Sequence, residues 1–265
     1  MSRRCIAVLT RGYANFGQYE SLIRRNMYIS NCLKDKTMDI LIFHEGNILP
    51  NDQIKIQQIT PELKLKFVNI MGPAFRREKE SVPFAPETKG FGMGYRHMCS
   101  FWFVDFWHFV QDYDYVLRID EDCFVNFDIE VVFSDLKTAL IVAGRYDADV
   151  DYVTIGMNRF SLDFVEANAG EFAFMSNQPK QPGGPYTNLF GLSLEPLRKN
   201  AMLAKYIEAI DKSDRIYSHR WGDLPLWGEA VQYILGENQL KIDKRISYFH
   251  TSHNSMVNPA GAAFK

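Results

Sequence analysis

The chain has 265 residues, 46% of them apolar and 14% aromatic, and a formal net charge of −2. That is enough apolar side chain for a sizeable core without disulfide or metal staples. Acids and bases are mixed along the chain, which excludes a basic nucleic-acid face, and no apolar run reaches the ~20 residues of a membrane span.

In chain order, Cys5–Thr10 reads as a buried first strand ending at Arg11-Gly12. Tyr19–Leu33 reads as a helix, with Leu22, Ile23, Met27, Ile29 and Cys32 near helical spacing. Asp39–His44 (DILIFH) is a second buried strand and Leu65–Ile70 a short third. Residues 72–90 hold three prolines and the charged patch RREKE, a surface loop. Gly94–Val110 is expected to be one helix, aromatic on nearly all sides and therefore buried. Strand Tyr115–Ile119 follows, then a helix over Ile129–Leu140 and a short strand at Ile141–Gly144. Pro179–Pro185 reads as a loop, Ala201–Ile210 and Leu224–Leu235 as helices, and Ile246–His250 as a late strand. Strand and helix alternating through the first half predict a parallel α/β sheet. The four cysteines form no CxxC pair and read as buried free thiols.

Strand Tyr115–Ile119 runs into three adjacent acids, Asp120, Glu121 and Asp122, at the kind of strand exit where ligands collect in open α/β sheets. Four readings compete. One is a solvated strand end. An EF-hand loop fails, because Val125 stands where its glycine belongs and Val131 where its closing Glu belongs. A haloacid-dehalogenase-like phosphatase fits poorly, because Phe124 occupies the position of a small residue and no later acid pair is evident. The last is an Asp-x-Asp site, in which a divalent cation relieves the carboxylate repulsion and grips a diphosphate. Asp120 and Asp122, at i and i+2, would point the same way on an extended strand, with Glu121 on the other face.

Three further stretches, GYRHMC (94–99), YSHRWGDLP (217–225) and ISYFH (246–250), join RIDEDCFVNFDI in a pattern. Together they resemble the signature segments of the Golgi α-1,2-mannosyltransferases, glycosyltransferase family 15. The resemblance implies a GT-A fold over residues 1–265, with a Rossmann-like nucleotide-binding half to about residue 125 and an acceptor-binding half over 126–265. It implies manganese or another divalent ion such as magnesium, a nucleotide-sugar donor (GDP-mannose by default, a UDP-sugar such as UDP-xylose as the alternative) and a glycan or glycoprotein acceptor. By position it makes Asp120, Asp122 and His250 the metal ligands. Thr10, Arg11, Tyr95 and Asp120 fall near the donor, and Trp221 and Trp227 near the acceptor. Asp223 becomes the candidate catalytic base, with Glu229 second. Asp223 also suits a helix N-cap.

The sequence departs from this pattern where the family carries a Glu about thirty residues before Arg-Trp. An ungapped match places Gly191 there, with Glu195 four residues on. Without that carboxylate, either front-face attack with retention or inversion with Asp223 as base is expected. An inactive sugar-nucleotide or glycan binder of the same fold is the rival reading. Met1-Ser2-Arg3-Arg4 opens directly onto the first strand rather than a signal core. The expected setting is therefore soluble and cytoplasmic, or the Golgi lumen if an anchor has been removed.

Overall fold

The computed structural model describes residues 2–168 and 181–259. Its strands are β1 Arg4–Leu9, β2 Asp39–His44, β3 Lys64–Asn69, β4 Tyr115–Ile119, β5 Cys123–Val125, β6 Ile141–Ala143, β7 Tyr146–Ala148, β8 Gly183–Pro185, β9 Leu189–Ser193, β10 Leu240–Ile242, β11 Tyr248–His250 and β12 Ser255–Val257. Seven of them form one sheet in the order β10-β6-β9-β4-β1-β2-β3. All its pairings are parallel except those of β9, which runs antiparallel to both β4 and β6. The mostly parallel sheet expected from the sequence is therefore present, and it draws strands from both sides of residue 125. β2, between β1 and β3, is buried at every position, as a strand covered on both faces must be. Edge strand β3 instead presents Lys64 and Lys66, both paired with Asp39 of β2 at 2.8 and 2.7 Å, which blunts the open edge.

The helices are α1 Glu20–Cys32, α2 Pro50–Ile59, α3 Met93–Ser100, α4 Glu130–Asp135, α5 Met157–Ala167, α6 Leu194–Lys199, α7 Ala201–Lys212, α8 Arg215–His219 and α9 Asp223–Ala230. The aromatic segment expected as one helix starts as α3, then widens to a π turn at Phe101–Asp105 and tightens to a 3₁₀ turn at Phe106–Phe109. Phe101, Trp102, Phe103 and Phe106 are buried together there. The expected helix over Ile129–Leu140 shrinks to α4.

Residues 179–180 of the expected loop lie outside the described residues, and Gly183–Pro185 is strand β8, paired with β7. Glycines on both sides let β8 and α9 touch backbone to backbone. A Cβ on Gly228 would stand 1.5 Å from the Gly183 carbonyl oxygen. This packing fixes α9, and with it Asp223, against the two-stranded β7–β8 sheet. All four cysteines are free; Cys5, Cys99 and Cys123 are buried. Among the described residues no helix is long and apolar enough to cross a membrane.

Candidate active site

The three acids lie where β4 leaves the sheet. Because β9 is antiparallel, its entry lies at the same edge, and the Asp120 N–H donates to the Asn188 carbonyl at 2.8 Å. The chain then turns back as β5, which pairs with β11 in a register that sets His250 opposite Cys123. His250 Nε2 thereby lies 3.2 Å from Asp122 Oδ2. Behind the ring, Nδ1 meets the Tyr186 hydroxyl at 2.8 Å and the Asn188 amide nitrogen at 2.9 Å, partners that fix its orientation. Burial pushes the Asp122 carboxyl up, but hydrogen bonds from His250 and Ser252 outweigh it and hold the group at about 2.

Asp122, Cys123 and His250 offer ligand atoms within 4.8 Å of one another. Burial raises the Cys123 thiol well above its ordinary range, so it stays neutral and a poor ligand. The effective donors are one ionised carboxylate, a hard oxygen ligand, and one imidazole, a borderline nitrogen ligand, a mixed set that suits manganese better than magnesium, completed by phosphate oxygens. The residues fit such an ion.

Asp120 is placed differently from the expectation. Both of its oxygens are held by Arg118, from Nε at 2.7 Å and Nη2 at 2.8 Å, and it stands outside the group just described. The strand ends at Ile119 and the acids form a turn, closed by the Cys123 N–H on the Asp120 carbonyl at 3.1 Å, yet Asp120 and Asp122 still line the same cleft, with Asp120 turned onto Arg118. The third nitrogen of the same guanidinium, Nη1, donates to Asp223 Oδ2 at 2.6 Å. Arg118 is 4% exposed, lies 4.4 Å from the centroid of the Trp102 ring and ties the strand-end acid to the start of α9. Burial raises the Asp120 carboxyl; Arg118 opposes that shift, and Asp122 and Asp223 add to it. Glu121 faces the other way, as expected, and accepts from the Thr10 hydroxyl at 2.5 Å and the Tyr13 hydroxyl at 2.7 Å. The fully buried Arg25 of α1 donates to the Ile119 carbonyl at 2.9 Å and adds a second cation beneath the acids. The repulsion within the acid run is thus met largely by protein cations and hydroxyls.

These groups line a cleft of about 520 Å³ that runs from Asp122 and His250 past Asp120, Arg118 and Asp223 to Phe91, Tyr95 and Arg220. Asp223 lies on the cleft as expected. It is the first helical residue of α9, with Gly222 as the N-cap, so it binds Arg118 rather than capping the helix. Tyr95 is on the cleft, its hydroxyl accepting from Arg220. Arg11 is exposed at the exit of β1, over the Tyr13 ring at 5.1 Å, and is not among the cleft residues. Thr10 is buried and its hydroxyl donates to Glu121.

Further expectations are corrected. Trp221 and Trp227 are both 0% exposed. Trp221 donates to the Ile155 carbonyl at 3.2 Å and Trp227 to the Trp102 carbonyl at 3.3 Å, so neither offers a face to a sugar. Glu229 is 1% exposed and lies outside the cleft among α5 and α7 side chains, because six residues along α9 turn it away from Asp223. Gly191 sits in the middle of β9, where a Cβ would meet Val132 at 2.6 Å, so that position faces α4 and the core. Glu195 lies on α6 beyond the far end of β9, paired with Lys199 at 2.6 Å, and cannot stand in for the missing carboxylate.

Several cleft residues were not anticipated: the Arg118 clamp, Tyr186 and Asn188 behind His250, and the Arg145–Asp147 and Arg220–Asp149 pairs. Arg118 was visible as a cation beside three acids. Tyr186 and Asn188 come from the turn before β9, and Arg145, Asp147 and Asp149 from around β7, two strands that the sequence pattern does not mark.

No family model matches the chain. It is 23% identical over 204 residues to "Probable mannosyltransferase KTR4" of Saccharomyces cerevisiae, a match covering 68% of this chain and 42% of that protein. The chain thus spans less than half the length of this curated relative. The X-ray structure of the mannosyltransferase Ktr4p from S. cerevisiae superposes with a TM-score of 0.76 at 17% identity, over 94% of this chain and 70% of that one. The Mn/GDP form of core-mannan synthase A from Aspergillus fumigatus does so with 0.76 at 14%, over 94% and 75%. The protein therefore has a GT-A fold and resembles the glycosyltransferase family 15 mannosyltransferases.

Proposed function

We propose that the protein is a metal-dependent glycosyltransferase that moves a mannosyl group from GDP-mannose to a hydroxyl of a glycan. The observation that carries this reading is the convergence of Asp122 and His250, 3.2 Å apart, beside the acids held by Arg118 at the carboxyl edge of the sheet. A manganese or magnesium ion held by Asp122 and His250 would bind the donor diphosphate and offset the charge left on it as the sugar departs. Arg118 fixes the orientation of Asp223, whose carboxylate faces the cleft and receives the hydrogen of the attacking hydroxyl.

The other carboxylates lining the cleft are already engaged. Asp120 is held by Arg118, Asp147 by Arg145 and Asp149 by Arg220. Among the described cleft residues this leaves Asp223, the proposed base, and Asp122, the proposed metal ligand, with no further carboxylate for a covalent glycosyl intermediate, and the Gly191 position faces away. The chemistry supported is a single displacement rather than a double one.

The test incubates the protein with manganese and a panel of GDP- and UDP-sugars and follows nucleotide release. GDP-mannose turnover that is lost with EDTA, in Asp122→Asn and in His250→Ala is the expected result. Asp223→Asn should lower turnover about 10²–10⁴-fold, and an NMR time course of the product anomer reports the stereochemistry. Absence of turnover with every donor would overturn the reading in favour of a binding protein.

A further inference from the structure

Consecutive sulfur side chains of α3 meet the two partners of the Arg118–Asp223 pair. Met98 lines the cleft, and its Sδ accepts from Arg118 Nη2 at 3.9 Å. Cys99, one residue on, is fully buried, and its Sγ accepts from the backbone N–H of Asp223. Burial pushes the Cys99 thiol up to about 12 and the Asp223 carboxylate adds to the rise, while Arg220 and the Asp223 N–H oppose it. The thiol is therefore neutral at pH 7, neither a nucleophile nor a metal ligand, and its sulfur lone pairs serve as acceptors.

The start of α9 explains why an acceptor is needed there. A helix begins with backbone N–H groups that have no partner within it, and the side chain of the N-cap residue normally meets one of them. The N-cap of α9 is Gly222, which has no side chain to offer. There is little room for one: a Cβ at Gly222 would stand 3.0 Å from Asp149 Oδ2 and 3.4 Å from Pro225 Cδ. Downstream, Pro225 has no N–H, and the Leu226 N–H returns to the Gly222 carbonyl at 3.2 Å. Asp223 itself is buried, and an unmet N–H at that depth is destabilising. Cys99 supplies from α3 the acceptor that the cap position lacks. The backbone of Asp223 is thus anchored on sulfur, while its side chain is anchored on Arg118 Nη1 at 2.6 Å. Two anchors at opposite ends of one residue restrict the directions its carboxylate can take.

We infer that Cys99 is a positioning residue: its sulfur caps α9 from outside the helix and, together with Arg118, holds Asp223 facing the cleft. The role of Asp223 rests on the transferase reading; the cap does not. Alanine and serine are nearly equal in size, so Cys99→Ala and Cys99→Ser leave the same space and differ in whether an acceptor remains. Amide hydrogen exchange at Asp223 is read by NMR on the full chain. In the wild type this amide should be protected, although first-turn helix amides ordinarily exchange fast, and an unprotected amide would overturn the cap whatever the variants do. Exchange should accelerate about tenfold in Cys99→Ala and stay within about threefold of the wild type in Cys99→Ser. Equal exchange in the two variants would mean that the sulfur only fills space, which also overturns the cap. With GDP-mannose and manganese, kcat should fall about three- to tenfold in Cys99→Ala at an unchanged KM and recover in Cys99→Ser. Faster exchange in Cys99→Ala with kcat unchanged would overturn the positioning role. A wild type that turns over no donor would refute the transferase reading, and the exchange comparison would still decide the cap.

Discussion

Glu229 should make the protein less stable as pH rises from about 4.5 to about 7, and Glu229→Gln should remove that loss. The side chain is 1% exposed, and its Oε2 has no hydrogen-bond partner. Burial raises its carboxyl from 4.5 to about 7, against smaller opposing contributions from Ser161 and Asn158. Below pH 4.5 the group is protonated in both folded and unfolded chains and does not affect their balance. Between 4.5 and about 7 the unfolded chain releases the proton while the folded one retains it, so stability falls with each step in pH. Above about 7 the loss levels off. At 1.36 kcal/mol per pH unit over that interval, the full effect is about 3 kcal/mol. Glutamine has the same shape and does not titrate. The variant should match the wild type within about 0.5 kcal/mol at pH 4 and exceed it by up to ~3 kcal/mol at pH 8. Urea unfolding followed by tryptophan fluorescence across pH 4–8 measures both curves. Parallel profiles would refute the reasoning, because they would mean that Glu229 is hydrated or paired when ionised. Since Glu229 lies off the cleft, donor turnover in the variant should be unchanged.

Two other substitutions probe how the site is held. Arg118→Met leaves Asp120 and Asp223 facing each other without their shared cation and should cost about 3–5 kcal/mol in urea unfolding. Adding Asp223→Asn should restore part of that, and strictly additive losses would contradict the clamp. Gly228→Ala drives a Cβ into the Gly183 carbonyl, so it should yield no folded protein or a loss above about 4 kcal/mol. Gly94→Ala, with nothing within 4 Å of the added carbon, should be neutral or gain about 0.5–1 kcal/mol by thermal melting.

The residues legible from sequence share a property: each sits at the end of an element that its own pattern defines. The apolar run Tyr115–Ile119 could only be a strand, so the acids after it had to emerge at a sheet edge. The late strand could only return His250 to a similar edge. What sequence could not show was the partner each group would meet. Trp221 and Trp227 look alike as core fillers and as sugar platforms, because the same large apolar faces serve both, and only packing against Phe160 and Phe103 decides. Gly191 shows the complementary limit. Matching along the chain gave it the place of a catalytic Glu, but in an antiparallel strand three residues separate the core-facing middle of β9 from its entry at the cleft. There Tyr186 and Asn188 bracket His250.

That displacement bears on mechanism as well as on alignment. At the entry of β9 the protein places a phenol and an amide, neutral groups that orient an imidazole, instead of a nucleophile. Around the remainder of the cleft, arginines meet the carboxylates: Arg118 for Asp120 and Asp223, Arg145 for Asp147, Arg220 for Asp149. A carboxylate meant to attack carbon would need a free lone pair and freedom to approach. Asp120, with both oxygens on Arg118, lacks that freedom, whereas Asp223 is bonded through Oδ2 alone and keeps its other oxygen for a hydroxyl proton. The arrangement therefore favours positioning over covalent chemistry, and Asp122, engaged by His250, is left as the acid available to a cation.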